Sequence, residues 1–397
     1  MNAPFEGRRA QANLLPPTDR RGAPFLSDAL FNALNVASST DHLQSPYPHA
    51  FHSWPAGMHP VIAHEILKTL LPRAPDGGVV DPFAGGGTVG LEAVLNGRPF
   101  LGGDVNPLSK LVGRERCRPR SQQQSQRVSD ILEVVVEASK ERVRKKVLVR
   151  ANVPVEIARN YAPHTLVELA GLLAEIDAVD DNDIRSTFGV CFSAILTKMS
   201  QRRGDTDVFG GTGGKRIGRF VPTERFADKV NELLDKQQAL YDVIGESTKA
   251  TFVTSDARDL PAVLDGRRAA IVLTSPPYGG TYDYTAHHAD RLAFLGLDDT
   301  LFQEKELGAR RRQHEKTFES EVVSMLDAIA GVLHPEGIAI LMVGDAELSG
   351  KRIQADEQLK ALSTASGLVM KAVASAPRRD YRGGPDRHEH LIAMTLR

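Results

Sequence analysis

Two short runs hold the residues best able to do chemistry. One is Asp81-Pro82-Phe83-Ala84-Gly85-Gly86-Gly87-Thr88, the other Thr274-Ser275-Pro276-Pro277-Tyr278. In the first, small residues let the backbone approach a ligand closely, and a following helix offers free N–H groups to an anionic group. Such a turn alone has two readings, a nucleotide site or a merely tight turn. It is not the dinucleotide pattern, and no Gly-Lys-Ser/Thr follows to make a phosphate-binding loop. In the second run, consecutive prolines fix the backbone and remove two N–H donors. The Ser275 hydroxyl and the Pro276 carbonyl can then accept hydrogen bonds from an –NH2 group. An aromatic amine is a weak nucleophile because its lone pair is delocalised into the ring. Two acceptors pulling on its protons favour a pyramidal nitrogen, and positioning supplies much of the rate of its attack. Tyr278 offers a flat face on which a base can stack. The plain alternative is a Pro-Pro turn that ends a buried strand.

Two acids stand at places where open α/β sheets bind ligands. Asp104, with Asn106 just beyond it, ends the run PFLGGDVN. It can accept hydrogen bonds from both ribose hydroxyls of a nucleoside, or cap its own turn. Asp256, followed by Ala257, ends ATFVTSDA. It can receive an adenine amino group or serve as an N-cap. Following the Gly-rich turn in this order, the acids favour a nucleoside site.

The elements that must position these residues alternate. GGVVD, PFLGGDVN, ATFVTSDA, AAIVLTSPPY and GIAILMVGDA read as strands, each ending at the edge of a polar turn. Helical patterns follow at residues 89–95, 321–333 and 357–366. This predicts an α/β fold with a mostly parallel, doubly wound sheet. LVMKAVASA and HLIAMTL close the chain as an antiparallel hairpin at its edge. Residues 1–45, rich in Pro, Ala, Arg and Ser, read as a flexible arm with one short helix near 28–36. Residues 111–249 break the alternation as a helical insertion. Its helices fall at 129–149, from Pro163 onward, at 184–199 and around Phe226–Leu234, and a Gly-rich basic loop precedes the last of them.

Composition narrows the class. The 397 residues carry a net charge of −1, with 41% hydrophobic and 25% charged residues. Any anionic partner must therefore be met by local basic patches. Two cysteines, Cys117 and Cys191, in no CxxC pair, exclude a disulfide framework and a cysteine-rich zinc site. No apolar run is long enough for a membrane span and no secretory leader is visible, so a cytoplasmic location is the default.

DPFAGGGT and TSPPY in one chain resemble the cofactor and catalytic motifs of the amino-methylating DNA methyltransferases. The resemblance covers about residues 46–110 and 250–346. It includes PYPHAFHSWPAGMHPVIAHEIL, which is similar to the family's leading segment. It implies a Rossmann-like methyltransferase sheet and S-adenosyl-L-methionine as cofactor. The cofactor would be held by Trp54, Ala56, Met58, Pro60, Asp81, Pro82, Phe83, Ala84, Gly85, Gly87, Thr88, Asp104, Asn106, Asp256, Ala257 and Thr274. Ser275, Pro276, Pro277 and Tyr278 would act on the amino group of a flipped base in DNA. Ser before Pro-Pro-Tyr is commoner in the family among N4-cytosine enzymes, and Asp among N6-adenine enzymes. N4 of cytosine is therefore expected, with N6 of adenine as the alternative. An RNA base methyltransferase and a non-catalytic nucleic-acid-binding protein remain further readings.

Flipping a base out of a duplex needs contacts to the backbone. Arg202, Arg203, Lys215, Arg216, Arg310, Arg311 and Arg312 are the candidates for phosphate, with Arg219, Arg378, Arg379 and Arg382 in similar clusters. Any one cluster is more often solvated surface, and phosphate contact by at least two is expected. Tyr282, Tyr284, His287 and His288 follow the catalytic run and can form the lip of a base pocket. Methyl transfer needs no metal. Many members of the family carry a recognition domain after the last strand. Here the chain stops at Arg397, so sequence reading falls to the insertion, or the target is short. The insertion's amphipathic helices could equally form a dimer interface, leaving monomer or homodimer open. A cognate restriction endonuclease is a possible partner.

Overall fold

The computed structural model describes residues 14–40, 45–55, 57–202, 217–246, 249–278, 284–307, 315–348, 351–379 and 387–397. Among the described residues, ten strands run in chain order. They are β1 (Asp19–Gly22), β2 (Gly78–Asp81), β3 (Phe100–Asp104), β4 (Ala250–Thr254), β5 (Ala269–Thr274), β6 (Leu333–Gly344), β7 (Ala346–Leu348), β8 (Lys351–Ile353), β9 (Leu368–Arg378) and β10 (Arg387–Leu396). Eight make one sheet in the order β1-β9-β10-β6-β5-β2-β3-β4, while β7 and β8 form a separate ribbon. The pairs β6/β5, β5/β2, β2/β3 and β3/β4 are parallel; β10 pairs antiparallel with both β6 and β9. The fold is Rossmann-like. β5, AAIVLT, is buried at every position because helices cover both faces of the sheet.

One face is covered by α1 (Pro24–Ser39), α2 (Pro60–Leu70) and α3 (Thr88–Leu95), which enclose an apolar cluster around Ile62, Leu67, Leu91 and Ile271. α4 (Pro107–Arg116) follows β3, with Asn106 as its N-cap and Pro107 at its first position. Between β3 and β4 then come α5 (Gln122–Lys145), α6 (Val155–Ala158), α7 (Pro163–Asp177), α8 (Asn182–Met199) and α9 (Val221–Ile244). α5 opens with a reciprocal capping box between Ser121 and Gln124. These helices bury their own cluster, around Phe188, Phe192 and Phe226, which reaches Phe51 of the leading segment and Leu292. Next are α10 (Leu260–Leu264), α11 (Tyr284–Phe294), α12 (Thr300–Lys305), α13 (Glu315–Val332) and α14 (Ala355–Ser363). α10, α13 and α14 cover the other face of the sheet.

Two expectations need correction. The fold does not begin near Pro46. Residues 14–40 belong to it, with β1 antiparallel to β9 and Leu30, Ala33, Leu34 and Ala37 of α1 buried. Leu30 and Leu34 alone contribute roughly 1.5–3 kcal/mol each. The polar, Pro-rich composition around this helix hid its apolar stripe. Residues 1–13 and 41–44 of the expected arm lie outside the described residues. The closing hairpin is also not the edge of the sheet, because β1 lies beyond β9 and β10 is internal.

Candidate active site

The Gly-rich turn is held by backbone. β2 delivers Asp81 to its C-terminal end. There its Oδ1 accepts the Phe83 N–H at 3.0 Å and the Thr274 hydroxyl at 2.6 Å. Burial pushes the Asp81 carboxyl up to about 7. Gly85 and Gly87 have φ of +49° and +84°, which side-chain-bearing residues rarely adopt. A Cβ on Gly85 would lie 2.8 Å from Trp54 Nε1, and one on Gly87 would lie 2.8 Å from Gly113 Cα. The Gly85 N–H donates to Asp104 Oδ2 at 2.8 Å and the Asn106 N–H to Oδ1 at 2.9 Å. Each Asp104 oxygen therefore has one lone pair engaged and one to spare. Desolvation pushes that carboxyl up to about 6. Two hydroxyls of a ribose suit Asp104, and a positive charge suits Asp81.

The leading segment closes this turn from above. Trp54 packs on Gly85 and Gly86 and lies 4.3 Å, centroid to centroid, from the His288 ring. His52 Nε2 hydrogen-bonds Ser193 Oγ of α8 at 2.9 Å, and Arg291 donates to Ser53 Oγ at 2.9 Å. The insertion thus anchors the wall of the cleft. Burial holds His52 and His288 well below the usual imidazole range, so both are neutral. Arg116, buried, donates to the His52 carbonyl at 3.2 Å and to Thr88 Oγ1 at 3.4 Å.

The second turn is held by side chains from far along the chain. Thr274 is buried and ties β5 to Asp81. Ser275 and Pro277 face the same cleft as Gly85. Tyr278 turns away from it. Its phenol donates to Glu389 Oε2 of β10 at 2.6 Å, and Glu389 Oε1 is paired with Arg378 Nη1 of β9 at 3.0 Å. The ring rests on Gly344, where a Cβ would lie 2.7 Å away.

The two runs therefore converge. One cleft is lined by Trp54, Met58, Pro60, Asp81, Pro82, Phe83, Ala84, Gly85, Thr88, Asp104, Asn106, Asp256, Ala257, Ser275 and Pro277. Gly87, Thr274, Pro276 and Tyr278 shape it from behind, outside the lining. Ala56 lies outside the described residues. Asp256 has both oxygens engaged by the Arg258 side chain, at 2.8 Å and 3.0 Å to Nε, and accepts the Arg258 N–H as an N-cap. The capping role is the one this structure displays.

Arg202 requires a correction. It is no open phosphate contact, because it pairs at 3.5 Å with Asp290, whose oxygens also take Asn160 and Tyr161 at 2.9 Å. Nothing in its local sequence announced that buried partner. Arg203, Lys215, Arg216, Arg310, Arg311, Arg312, Arg382 and Tyr282 lie outside the described residues. Tyr284 and His288 do line the cleft, with His49 of the leading segment and with Arg116 and Glu306, which no motif signalled. Glu306 is recognisable only in space, where it accepts the Tyr284 N–H at 3.1 Å and the Thr285 hydroxyl at 2.8 Å.

The architecture defines a Rossmann-like α/β protein in which the Gly-rich and Ser-Pro-Pro turns share one cleft. No family model matches the chain. Over 260 residues it is 25% identical to the type II methyltransferase M.MvaI of Kocuria varians, covering 63% of this chain and 57% of that protein. The chain thus spans little more than half of that relative. Looser superpositions link it to solved structures. TrmN from Thermus thermophilus has a TM-score of 0.34 and 12% identity, over 90% of this chain and 51% of that one. The rRNA methyltransferase aviRa from Streptomyces viridochromogenes gives 0.36 and 13%, over 89% and 94%. The glycopeptide N-methyltransferase MtfA, complexed with S-adenosyl-L-methionine, gives 0.30 and 12%, over 84% and 94%. No helix among the described residues is long and apolar enough to cross a membrane.

Proposed function

We propose that the protein is an S-adenosyl-L-methionine-dependent methyltransferase acting on the exocyclic amino group of a base in DNA, N4 of cytosine first and N6 of adenine second. One observation carries the reading. The Thr274 hydroxyl bonds Asp81 at 2.6 Å, so the Ser-Pro-Pro turn and the Gly-rich turn share one cleft. A structural Pro-Pro turn has no reason to sit against a nucleoside site.

When bound, the cofactor supplies a methyl group activated by a positive sulfur. Asp104 is placed to take the ribose hydroxyls. Asp81, which lines the same cleft, is our candidate to receive the cofactor's positive charge, and Trp54 covers the turn. The Ser275 hydroxyl and the Pro276 carbonyl hold the amino group so that its lone pair is directed rather than delocalised. Met58 and Pro60 complete the apolar wall. The insertion, anchored to this wall through His52, is our candidate for reading the target sequence, in line with the similarity to a type II methyltransferase.

The test is to express the protein in a methylation-free host and sequence the genomic DNA with modification-sensitive reads. Modified bases in a short fixed context are expected, and Ser275→Ala should abolish them. Methylation of tRNA or rRNA with an unmodified genome would replace DNA by RNA in this reading. Failure to bind S-adenosylmethionine would end it.

A further inference from the structure

Two histidines line the cleft, and each is held at one ring nitrogen by a different buried partner. His49 sits in the turn Pro48–Ala50 and is 7% exposed. Its Nε2 bonds Glu92 Oε1 of α3 at 2.7 Å, and Glu92 Oε2 bonds His64 Nδ1 of α2 at 3.0 Å. His288 of α11 is fully buried, and Arg291 Nη1 donates to its Nδ1 at 3.5 Å. Both rings line the cleft, yet His49 Nδ1 and His288 Nε2 have no hydrogen-bond partner among the described residues. Trp54, on which His288 packs, and Arg116 both press on Gly86, where a Cβ would lie 3.1 Å and 2.8 Å from them.

The partners decide what each spare nitrogen offers. Burial resists charge on Glu92, but the hydrogen bonds from His49 and His64 outweigh it and hold the carboxyl below its usual range. An ionised carboxylate can only accept, so the His49 proton sits on Nε2. Burial holds His49 below the usual imidazole range against the pull of Glu92, and Arg116 and Lys236 also disfavour its charge. The ring is therefore neutral, and Nδ1 presents a lone pair. A guanidinium can only donate, so His288 Nδ1 accepts from Arg291, and the proton of that neutral ring sits on Nε2. The cleft thus carries a spare acceptor backed by a negative charge and a spare donor backed by a positive one. Buried polar groups left unpaired are costly, and a ligand that pairs both removes that cost.

We propose that His49 and His288 read the amino-acid end of the cofactor, His49 Nδ1 accepting from its α-ammonium and His288 Nε2–H donating to its α-carboxylate. This rests on the reading of the cleft as an S-adenosylmethionine site. It adds two residues that separate this cofactor from nucleosides without an amino-acid tail. A phosphate tail would meet the His49 lone pair and the Glu92 charge with repulsion, and an uncharged tail would leave both nitrogens unpaired.

S-adenosylhomocysteine is the probe, because it lacks the sulfonium charge proposed to meet Asp81. Full-length wild type would be titrated calorimetrically with S-adenosylhomocysteine, its deaminated analogue and its decarboxylated analogue. Loss of either ligand group is expected to weaken binding by about tenfold or more. His49→Gln keeps a donor for Glu92 and removes the lone pair. His288→Asn keeps an acceptor for Arg291 and removes the N–H. In His49→Gln the deaminated analogue should bind within about twofold of S-adenosylhomocysteine, while the penalty for decarboxylation persists. In His288→Asn the decarboxylation penalty should shrink by about tenfold, while the penalty for deamination persists. A merely structural role would weaken all three ligands alike.

Uniform weakening in both variants, unchanged penalties, or a wild type that binds the three ligands equally would overturn the tail reading and leave the nucleoside site standing. A wild type that binds neither S-adenosylmethionine nor S-adenosylhomocysteine would overturn the underlying reading as well. Should a variant fail to fold by thermal melting, nitrogen-15 spectra of the wild-type histidines decide. Both rings should read as neutral Nε2–H tautomers, and S-adenosylhomocysteine, but not adenosine, should shift His49 Nδ1 and His288 Nε2. A His49 protonated at Nδ1, or the same shifts with adenosine, would overturn the proposal.

Discussion

The two turns that meet in the cleft are built by different means. The turn of residues 82–87 is a backbone object. Its N–H groups reach Asp104 and the Gly103 carbonyl, its carbonyls take Ser109, and two of its glycines sit at positive φ. The turn of residues 275–278 is a side-chain object. Its ties run from Thr274 to Asp81 and from Tyr278 to Glu389, 193 and 111 positions away along the chain. A binding surface made of backbone needs the absence of side chains, and that absence is written locally. A reacting surface made of side chains needs partners, and those can come from anywhere in the fold.

The sharpest way to break this comparison is Gly87→Ala. The new Cβ would meet backbone, Gly113 Cα at 2.8 Å, at a φ of +84°. Neither the clash nor the dihedral can be relieved by a side-chain rotation. Such positions cost about 1–3 kcal/mol for the dihedral alone, and overpacking adds a similar amount. Loss of detectable S-adenosylmethionine binding is expected in titration calorimetry, together with a lower melting temperature. Retained binding would show that the turn tolerates side chains and is not a backbone device.

This contrast also explains what could be read in the sequence. Residues 78–104 were legible as strand, glycine turn, helix and strand because each signal is local, down to Asp104 at the end of β3. The insertion helices were legible by apolar spacing, although α5 begins at Gln122 rather than near residue 129, since its first turn is set by the Ser121 cap and not by hydrophobic period. α1 was legible as a short helix near 28–36, but its packing against the sheet was not, because half of its buried positions are alanine, which carries little hydropathy. Arg202 was misread because its charge is visible in sequence and the Asp290 carboxylate that receives it is not. The same blindness hid Glu389, Arg116 and Glu306.

A smaller and more selective effect is expected from Gly344→Ala. Its backbone has ordinary dihedrals, so the residue tolerates alanine by itself, but the Cβ would lie 2.7 Å from the Tyr278 ring. The ring must shift, and with it the short turn that carries Ser275. Displacement of a positioning group by about 1 Å can cost on the order of 100-fold in rate. Methyl transfer should fall toward that limit while the dissociation constant for S-adenosylmethionine stays unchanged. Equal losses in both would mean that the turns do not act separately, and the comparison drawn from their construction would fail.

The smallest effect probes the point where the turns touch. Asp81 in the cofactor-free cleft titrates at about 7, so below that pH a cationic ligand must displace a proton to gain the carboxylate. Affinity for S-adenosylmethionine should therefore rise about tenfold between about pH 6 and about pH 8. S-adenosylhomocysteine, which lacks the sulfonium charge, should rise much less. Asp81→Asn keeps an Oδ1 able to accept from Phe83 and Thr274, so it should preserve the geometry while removing the pH dependence. Folding should respond in the opposite sense. A carboxyl raised from 3.8 to about 7 stabilises the fold fully only below its unfolded value, and that contribution is lost as pH rises through about 7. Above that pH the asparagine variant should be the more stable protein, by up to about 4 kcal/mol, and the weaker binder. Calorimetric melting against pH, beside the two ligand titrations, separates these trends. If both ligands gained equally with pH, the charge recognised at the junction would not be the sulfonium, and Asp81 would serve only to hold Thr274.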